Sequence, residues 1–287
     1  MILVIGQTGQ VAREIARRAP NARYLSRAEA DLNSPDTAEA VVAQALAETG
    51  ATAVINAAAY TAVDRAEKEE ALAHQVNAES PGRIAALCAA RGIPIVHIST
   101  DYVFDGSGDA PRAPDAPTAP IGAYGRTKLS GEVAVSAAGG PHAVLRTSWV
   151  FSAHGANFLK TMLRLSESRD ALRIVADQVG GPTPAGAIAE ATLEIAKALR
   201  ANPTLSGTYH FSGAPDVSWA DFARAIFAEA GRDVAVSDIP TSEYPTPARR
   251  PLNSRLDCEA TEAAFGVSRP LWCVALSPIL SELRSHA

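Results

Sequence analysis

The chain contains little cysteine. Only three cysteines, Cys88, Cys258 and Cys273, occur among its 287 residues, and they are scattered and odd in number. Such an arrangement is not a disulfide framework, and its spacing is not that of a zinc site. We therefore expect buried free thiols and a location in the reducing cytoplasm.

Long apolar runs and basic runs are also missing. The net charge is −5, and hydrophobic residues make up 47% of the chain. No apolar run is long enough to span a bilayer and no basic run suggests nucleic acid, so we expect neither as a partner. Met1 leads directly into an apolar strand, which leaves no room for a signal peptide. The apolar share suffices for one large α/β domain, or for a nucleotide-binding domain with a smaller partner.

The start of the sequence has the pattern of a dinucleotide site. An apolar strand, residues 1–5, is followed by a glycine turn, residues 6–9, and then by a helical pattern. Gly6 permits the tight turn, Gly9 lets the backbone approach a pyrophosphate, and Ala12 is nearly as small as the third glycine of the usual pattern. The amides that open the helix would bind the phosphate charge. An ordinary strand-to-helix turn is the alternative interpretation.

The second strand, residues 22–25, ends in Ser26 and Arg27. NAD-specific sites often have an acidic residue near this point, which binds the ribose hydroxyls. A serine and an arginine suit a 2′-phosphate instead, so we predict NADPH as the cofactor and keep NADH as the alternative. Asp31 and Leu32 are then expected to flank the adenine. A solvated Arg27 without a role is the simpler interpretation.

A row of small residues follows the third strand, residues 53–56. Small side chains at the carboxyl end of a strand leave space for a ligand beside the backbone, although they would also suit simple tight packing. The row and its continuation are Ala57, Ala58, Ala59, Tyr60 and Thr61.

The predicted chemistry centres on Tyr124 and Lys128. They are four residues apart in a helical pattern, residues 123–138, and so lie on one face of the helix. A phenol with a pKa of ~10 is a poor acid–base group near neutrality, and a neighbouring ammonium group would lower that pKa. Thr100 stands where the apolar strand 93–99 ends, which is where α/β sheets place their chemistry. For Tyr124 and Lys128 alone, a surface pair on an amphipathic helix is the alternative.

Residues 1–150 are predicted to form a Rossmann-type, doubly wound α/β domain with a parallel sheet. Beyond them the alternation of strands and helices loosens, and residues 151–287 are expected to form mainly a smaller, intertwined substrate-binding domain. Parts of 186–212 are expected to rejoin the first domain, with a strand at 208–211 in its sheet. The loop 105–120 has the length of an active-site lid.

The helical patterns predict where further helices begin, break and end. A long pattern from residue 62 to about residue 91 contains Asn77 and Pro81, which predict a break or kink. A closing helix is predicted at residues 279–284. Other helices are predicted at residues 35–48, 157–165, 187–200 and 219–230.

Seven short motifs, spread nearly end to end, carry a resemblance to a known family. Together they resemble the extended short-chain dehydrogenases/reductases, and more narrowly the dTDP-4-dehydrorhamnose reductases, with a specificity that the fold alone would not have. The motifs are Gly6-Gln7-Thr8-Gly9-Gln10-Val11, Asn56-Ala57-Ala58-Ala59-Tyr60-Thr61-Ala62-Val63-Asp64, Ser99-Thr100-Asp101-Tyr102-Val103-Phe104, Tyr124-Gly125-x-Thr127-Lys128, Arg146-Thr147-Ser148-Trp149-Val150, Asp177-Gln178-x-Gly180-x-Pro182-Thr183 and Arg250-Pro251-x-x-Ser254.

The resemblance implies NAD(P)H-dependent reduction of the C4 ketone of dTDP-4-dehydro-L-rhamnose, the last step in making dTDP-L-rhamnose. Tyr124 would donate the proton, Lys128 would lower the Tyr124 pKa and bind the nicotinamide ribose, and Thr100 would hydrogen-bond the substrate oxygen. Pattern and resemblance together assign cofactor contacts to Gly6, Gln7, Gly9, Gln10, Val11, Arg27, Asp31, Leu32, Ala57, Ala58, Ala59, Tyr60, Thr61, Tyr124 and Lys128. The nucleotide-sugar substrate would contact Val63, Thr100, Asp101, Tyr102, Tyr124 and Trp149.

The chain departs from the family pattern in two places. Many relatives have asparagine two residues before the catalytic tyrosine, where this chain has Gly122. Some relatives bind Mg²⁺ through glutamates at a dimer interface; Glu14 and Glu282 match such positions, but Gly186 occupies another. We therefore expect both glutamates on exposed helix surface and assign no metal site, and we keep Mg²⁺ and a homodimer as open alternatives.

Several functional alternatives stay open at this point. A dehydratase of this fold carries glutamate after the aspartate of its Thr-Asp pair, and Tyr102 stands there instead, which favours reduction. An epimerase could use the same tyrosine and lysine while regenerating its cofactor. A regulatory NADP-binding protein, like the β-subunit of methionine adenosyltransferase, is the non-enzymatic alternative. Arg249 and Arg250 could meet the substrate diphosphate or form a structural ion pair.

Overall fold

The protein is described over residues 1–285 by a computed structural model. Its strands are β1 Ile2–Ile5, β2 Arg23–Leu25, β3 Ala53–Asn56, β4 Ile95–Thr100, β5 His142–Thr147, β6 Val150–Phe151, β7 Ala171–Val175, β8 Val179–Gly180, β9 Thr183–Pro184, β10 Gly207–His210, β11 Val217–Ser218, β12 Ala235–Ile239 and β13 Asn253–Ser254. Its α-helices are α1 Gln10–Arg18, α2 Pro35–Thr49, α3 Val63–Ala66, α4 Glu70–His74, α5 Ser80–Ala89, α6 Ala123–Ala137, α7 Phe158–Leu165, α8 Ala185–Ala201, α9 Trp219–Ala230, α10 Glu259–Phe265 and α11 Trp272–Ser285.

Six parallel strands form the central sheet, in the order β10-β5-β4-β3-β1-β2. Their side chains alternate between two apolar clusters, one against α2 and α5 and the other against α1 and α8. Burial on both faces explains why these strands are nearly continuous apolar runs. The Rossmann-type, doubly wound fold predicted from the sequence is therefore confirmed.

The strand order reverses between β1 and β3. The chain passes from β1 to β2 on one side and then crosses back to β3 on the other side. Ligands of open α/β sheets bind at such a switch point, outside the carboxyl ends of the strands. The glycine turn after β1 and the alanine row after β3 both lie there.

The strand predicted to rejoin the main sheet is β10, which pairs in parallel with β5. The rest of the C-terminal part forms three small sheets, β11-β8-β13, β12-β7 and β6-β9. A separate apolar cluster around Phe222 and Trp272 supports them. The division into residues 1–150 and 151–287 stays a prediction.

Two helix predictions meet different outcomes. The predicted break at Asn77 and Pro81 is confirmed, because a π-helix, Gln75–Glu79, separates α4 from α5 and Pro81 lies in the first turn of α5. Proline is tolerated there because it needs no amide partner. The closing helix predicted at 279–284 is wrong in length, since α11 already begins at Trp272 and contains Pro278.

The loop 105–120 is anchored to the C-terminal chain. The Arg112 amide donates to the Arg255 carbonyl at 3.0 Å, and the Asn253 amide donates to the Gly106 carbonyl at 3.0 Å. Gly106 has a φ of +73°, and a Cβ atom there would lie 2.5 Å from Pro251, so glycine is required. Its function as a lid stays a prediction.

The cysteine prediction is right for two residues and wrong for one. Cys88 and Cys258 are buried, whereas Cys273 is exposed. Burial raises the pKa of Cys88 to about 12, which makes that thiol unreactive. Cys273 follows the buried Trp272 on α11 and so falls on the outer face of that helix. None of the helices within residues 1–285 combines the length and apolarity needed to cross a membrane.

Candidate active site

Thr100 and Tyr124 meet at the carboxyl end of β4. Thr100 is the last residue of β4, and its side chain lowers the pKa of Tyr124, which lies in the first turn of α6. The Thr100 hydroxyl also donates to Asp101 at 3.0 Å and accepts from the Tyr102 amide at 3.2 Å. Gly125 permits this approach, because a Cβ atom there would lie 2.2 Å from the Tyr102 carbonyl oxygen. The structure thus joins a threonine hydroxyl and a phenol at the point the sequence indicates.

Lys128 lies one turn along α6 and reaches under the site to β4. Its side chain is buried, and Nζ donates to the Ile98 carbonyl at 2.7 Å. The same Nζ lies 3.2 Å from Nε2 of His97. Burial lowers the pKa of Lys128 to about 8, and Glu132 partly opposes that shift. An amine with this pKa changes charge close to physiological pH.

The pKa of Tyr124 moves against expectation. Burial raises it above the ordinary value, the Asp101 carboxylate raises it further, and the hydrogen bond with Thr100 lowers it only in part. The prediction that Lys128 lowers the pKa of Tyr124 is therefore wrong for this arrangement. The reason is geometric, since the Lys128 amine is directed to Ile98 and His97 on β4.

The glycine turn after β1 has the shape of an anion site. Gly6 has a φ of +109°, and a Cβ atom there would lie 3.4 Å from the backbone of Ala57 and Ala58. Gly9 is the N-cap of α1, whose first turn contains no acidic residue. Residues 7–9 are exposed, so the amides at the start of α1 are accessible to a phosphate. This geometry fits a pyrophosphate.

Other predicted residues around the turn contribute in different ways. The Gln10 side chain accepts from Ser152 at 2.8 Å and from Asn157 at 2.9 Å, which ties α1 to the C-terminal part. Val11 and Leu32 are buried in the apolar core, so only their backbones are available to a cofactor.

The alanine row is held in place by Asn77, a residue that the sequence indicated only as a helix break. Asn77 Oδ1 accepts from the Tyr60 amide at 2.8 Å, and Nδ2 donates to the Tyr60 carbonyl at 3.2 Å and to the Thr127 hydroxyl at 3.1 Å. Asn77 therefore ties the segment Ala57 to Thr61 to the helix that carries Tyr124. Its position within a long helical pattern gave no signal of these contacts.

An acidic residue that the sequence interpretation missed, Glu29, follows β2. Glu29 accepts hydrogen bonds from the Ser26 amide at 2.8 Å and the Ser26 hydroxyl at 2.7 Å. These bonds and Arg23 lower the pKa of Glu29 to about 2, so it is ionised at working pH. Arg27 extends into solvent, 81% exposed, with Asp31 at 3.6 Å. The available signal was the spacing, because an acid about 20 residues after the glycine turn is the usual ribose ligand.

Trp149, a predicted substrate contact, has an unusual backbone. Its φ is +49°, which costs a non-glycine residue energy and is often found at functional sites. Its indole ring stacks on Trp219 at 3.5 Å with planes 9° apart. Gly180 leaves room for the ring, since a Cβ atom there would lie 3.1 Å from it. Trp219 was not singled out in the sequence, because the stack joins residues 70 positions apart in an irregular region.

The remaining candidates lie in or near the segments that follow β3 and β4 and in the C-terminal part. The Tyr102 ring meets the Tyr124 ring edge-on at 5.6 Å, and Val63 begins α3 just after the alanine row. Arg250 pairs with Asp64 at 2.8 Å, so of the two alternatives the ion pair is the one observed. Arg249 is exposed.

The candidate Mg²⁺ glutamates are neutralised by arginines instead. Glu14 is 8% exposed, and it accepts from Arg18 at 2.6 Å and from Arg17 at 3.3 Å. Arg17 also pairs with Glu282. The expectation that Glu14 lies on exposed helix surface is therefore wrong, because a buried carboxylate needs such partners.

Gly186 completes this region. A Cβ atom there would lie 2.7 Å from a guanidinium nitrogen of Arg18, which also pairs with Glu190 at 2.9 Å. Among the residues described, 1–285, no group of three or more His, Cys, Asp or Glu side chains is arranged to hold a metal.

Comparison with known proteins places this geometry in a family. The RmlD substrate binding domain family matches residues 1–285. A dTDP-4-dehydrorhamnose reductase of Burkholderia thailandensis is 46% identical over 300 residues, which covers 99% of this chain and 99% of the relative. Another, of Sinorhizobium fredii, is 42% identical over 280 residues, which covers 94% of this chain and 93% of the relative.

A solved structure agrees with these relatives. The crystal structure of dTDP-4-dehydrorhamnose reductase from Bacillus anthracis in complex with NADP has a TM-score of 0.88 to this chain and 32% sequence identity, and the alignment covers 98% of both chains. The chain therefore belongs to the RmlD substrate binding domain family, whose matched members are oxidoreductases named dTDP-4-dehydrorhamnose reductases.

Proposed function

We propose that this protein is an NADPH-dependent reductase that converts dTDP-4-dehydro-L-rhamnose to dTDP-L-rhamnose. The single observation that carries the proposal is that Thr100, at the carboxyl end of β4, acts on the phenol of Tyr124, which lies on α6 one turn before the buried Lys128. The names of the related proteins support the substrate, and the NADP complex of a relative supports the cofactor.

Tyr124 is the proton donor in this proposal. NADPH supplies the hydride to C4 of the sugar, and negative charge then develops on the C4 oxygen. The raised pKa of Tyr124 keeps the phenol protonated at neutral pH, which is the form needed for reduction. Its proton passes to the C4 oxygen as the C4–H bond forms, and the products are the alcohol and the phenolate.

Thr100 and Lys128 assist this transfer. The Thr100 hydroxyl favours the ionised form of Tyr124, and by turning from Asp101 it can donate to the substrate oxygen and stabilise the developing charge. Lys128 would bind the hydroxyls of the nicotinamide ribose. Its lowered pKa lets this amine exchange a proton near physiological pH.

The cofactor fits the switch point of the sheet. The pyrophosphate would lie on the amides of the turn Gly6 to Val11, and the nicotinamide end along the alanine row. Arg27, Asp31 and Leu32 would border the adenosine. Substrate contacts are proposed for Asp101, Tyr102, Val63 and Trp149, of which Tyr102 and Asp101 act directly on Tyr124.

A direct assay tests the proposal. We expect NADPH oxidation in step with reduction of dTDP-4-dehydro-6-deoxy-L-mannose, and dTDP-L-rhamnose as the product by stereochemical analysis. Tyr124→Phe should lower kcat by a large factor with little change in NADPH affinity. Tyr209→Phe is the matched control, because Tyr209 donates to the Leu205 carbonyl far from this site.

The outcomes separate the alternatives. Near-normal turnover by Tyr124→Phe would sink the proposed proton donor. Turnover without net NADPH consumption would favour an epimerase. Tight NADP binding without turnover of any nucleotide keto-sugar would favour a regulatory binding protein.

A further inference from the structure

A row of buried polar side chains connects the cofactor segment with Lys128. Asn56, His97 and Lys128 are 1%, 0% and 1% exposed. They come from β3, β4 and α6, so the row crosses three elements. The mechanism proposed above uses only Lys128, which leaves two fully buried polar residues beside it without a function.

The direction of the hydrogen bonds in this row follows from a backbone amide. The Ala58 amide can only donate, and its partner at 3.2 Å is the Asn56 side chain, which must therefore present Oδ1 to it. The other end of the Asn56 amide is Nδ2, a donor, and it lies 3.1 Å from His97 Nδ1. Since His97 Nδ1 accepts, the neutral imidazole carries its hydrogen on Nε2.

His97 then donates toward the catalytic amine. Its Nε2 lies 3.2 Å from Lys128 Nζ, and Nζ donates to the Ile98 carbonyl at 2.7 Å. An amine that accepts from Nε2–H and donates to Ile98 has one N–H bond left for another partner. Burial lowers the pKa of both groups, that of Lys128 to about 8, so the neutral amine that this direction requires predominates above about pH 8.

Reversal of the row would disturb the cofactor segment. If Lys128 donated to Nε2, the hydrogen of His97 would move to Nδ1, and the Asn56 amide would have to turn over to accept it. The Ala58 amide would then face an NH₂ group and lose its partner. The orientation of the segment Ala57 to Thr61 and the direction of the Lys128 amine are therefore set together.

A purely structural explanation accounts for less of this geometry. A histidine in the middle of a sheet needs partners for both ring nitrogens, and any buried polar neighbours would serve. Here the partners are the residue that opens the cofactor segment and the catalytic lysine.

We propose that His97 is a positioning residue for the reduction: through a one-directional hydrogen-bond row that begins at the Ala58 amide, it holds the Lys128 amine where that amine meets the nicotinamide ribose. This inference rests on the function proposed for Lys128. The cofactor segment thereby helps to align the group that acts with Tyr124.

Three substitutions separate positioning from simple burial. His97→Gln keeps an amide near the place of Nε2, His97→Asn keeps one near Nδ1, and His97→Leu keeps neither. We expect kcat to fall about tenfold or more in the Asn and Leu variants, as for a misplaced catalytic group, while the KM for the sugar changes little. His97→Gln should recover most of kcat.

His210→Leu is the matched control. His210 is fully buried at the end of β10 and bonds Arg146 and the Arg112 carbonyl, outside the proposed machinery. Its variant should lower the unfolding temperature about as much as His97→Leu without the same fall in kcat. Wild-type kcat in folded His97→Leu, or equal losses in the Gln and Asn variants, would overturn the inference.

A spectroscopic measurement is independent of turnover. In ¹⁵N-histidine-labelled protein, the His97 signals are identified by their loss in His97→Gln. Above about pH 8, where the Lys128 amine is neutral, we expect the pattern of a neutral ring with hydrogen on Nε2, and an Nδ1–H tautomer there would overturn the proposed direction. A wild type without reductase turnover would refute the proposed function instead, whatever tautomer His97 shows.

Discussion

The Glu67 carboxylate accepts a hydrogen bond from the Ala123 backbone amide at 2.8 Å. Ala123 is the first residue of α6, so Glu67 caps the helix that carries Tyr124 and Lys128. Gly122, just before it, has no side chain to do this, and a Cβ atom there would lie 2.8 Å from Glu67 Oε1. Glu67 thus supplies, from another element, the cap that the asparagine of many relatives could supply locally.

This exchange can be tested by a double-mutant cycle. Glu67→Ala should lower the free energy of unfolding by about 1 kcal/mol, the usual value of an N-cap, and should lower kcat because Tyr124 lies in the first turn. Gly122→Asn alone should also destabilise the protein, since its Cβ atom crowds Glu67. The double variant should be more stable than the sum of the single effects predicts, because removal of the Glu67 carboxylate gives the introduced asparagine side chain room to cap the helix. Strictly additive effects in urea unfolding would argue against the exchange.

Thr100 offers a test of the charge-stabilising contact. Thr100→Val removes the hydroxyl that touches Tyr124 but keeps the shape of the side chain. We expect kcat to fall about 10²–10³-fold, the range for loss of one such donor, while NADPH binding measured by fluorescence titration stays the same. Thr192→Val, a buried threonine in α8 that donates to the Ala189 carbonyl, is the matched control. A loss of NADPH affinity in Thr100→Val that accounts for its lower activity would contradict this assignment.

The sequence predicts well what depends on spacing along the chain. The strand predicted at 53–56 coincides with β3, and the four-residue spacing of Tyr124 and Lys128 places both on α6. Residues whose function depends on long-range contacts were missed, because nothing local distinguishes them. Trp219 stacks on Trp149, and Asn77 hydrogen-bonds Tyr60 and Thr127. These partners are distant in the sequence.

Electrostatics is the clearest limit of the sequence interpretation. An ammonium group four residues from a phenol suggests a lowered Tyr124 pKa. In the folded chain, burial and the Asp101 carboxylate raise the Tyr124 pKa instead, and the Lys128 amine is directed to the Ile98 carbonyl on β4. Burial and side-chain direction are tertiary properties, so the sign of the shift could not be predicted from spacing.

Glu29 should influence the choice between NADPH and NADH. Its carboxylate holds the Ser26 amide and hydroxyl, the groups that would meet a 2′-phosphate. Glu29→Gln removes the charge and keeps the shape, so kcat/KM for NADPH relative to NADH should rise several-fold, as expected for about 1 kcal/mol between exposed like charges. Arg27→Ala should change the ratio the other way.

The control for this comparison is Glu48→Gln on α2. The Glu48 carboxylate accepts a hydrogen bond from the neutral Gln44 side chain at 2.7 Å. Both cofactors should be compared at low and high salt, because screening should reduce the effect of Glu29→Gln. A ratio that neither Glu29→Gln nor Arg27→Ala shifts would show that selectivity lies elsewhere.

Asp101 should make stability depend on pH in a particular direction. Burial raises its pKa to about 6, although Ser254 and Thr100 partly oppose the shift. In the unfolded chain the pKa is ~3.9, so between about pH 4 and pH 6 the folded state binds more protons at this group. Ionisation of Asp101 therefore lowers the free energy of unfolding as pH rises through this window, and the loss is complete above it. Asp101→Asn cannot ionise, so its stability relative to wild type should increase by on the order of 2 kcal/mol from pH 4 to pH 7. Urea unfolding of both proteins at several pH values measures this difference in stability. If the difference does not change with pH, folding does not raise the pKa of Asp101.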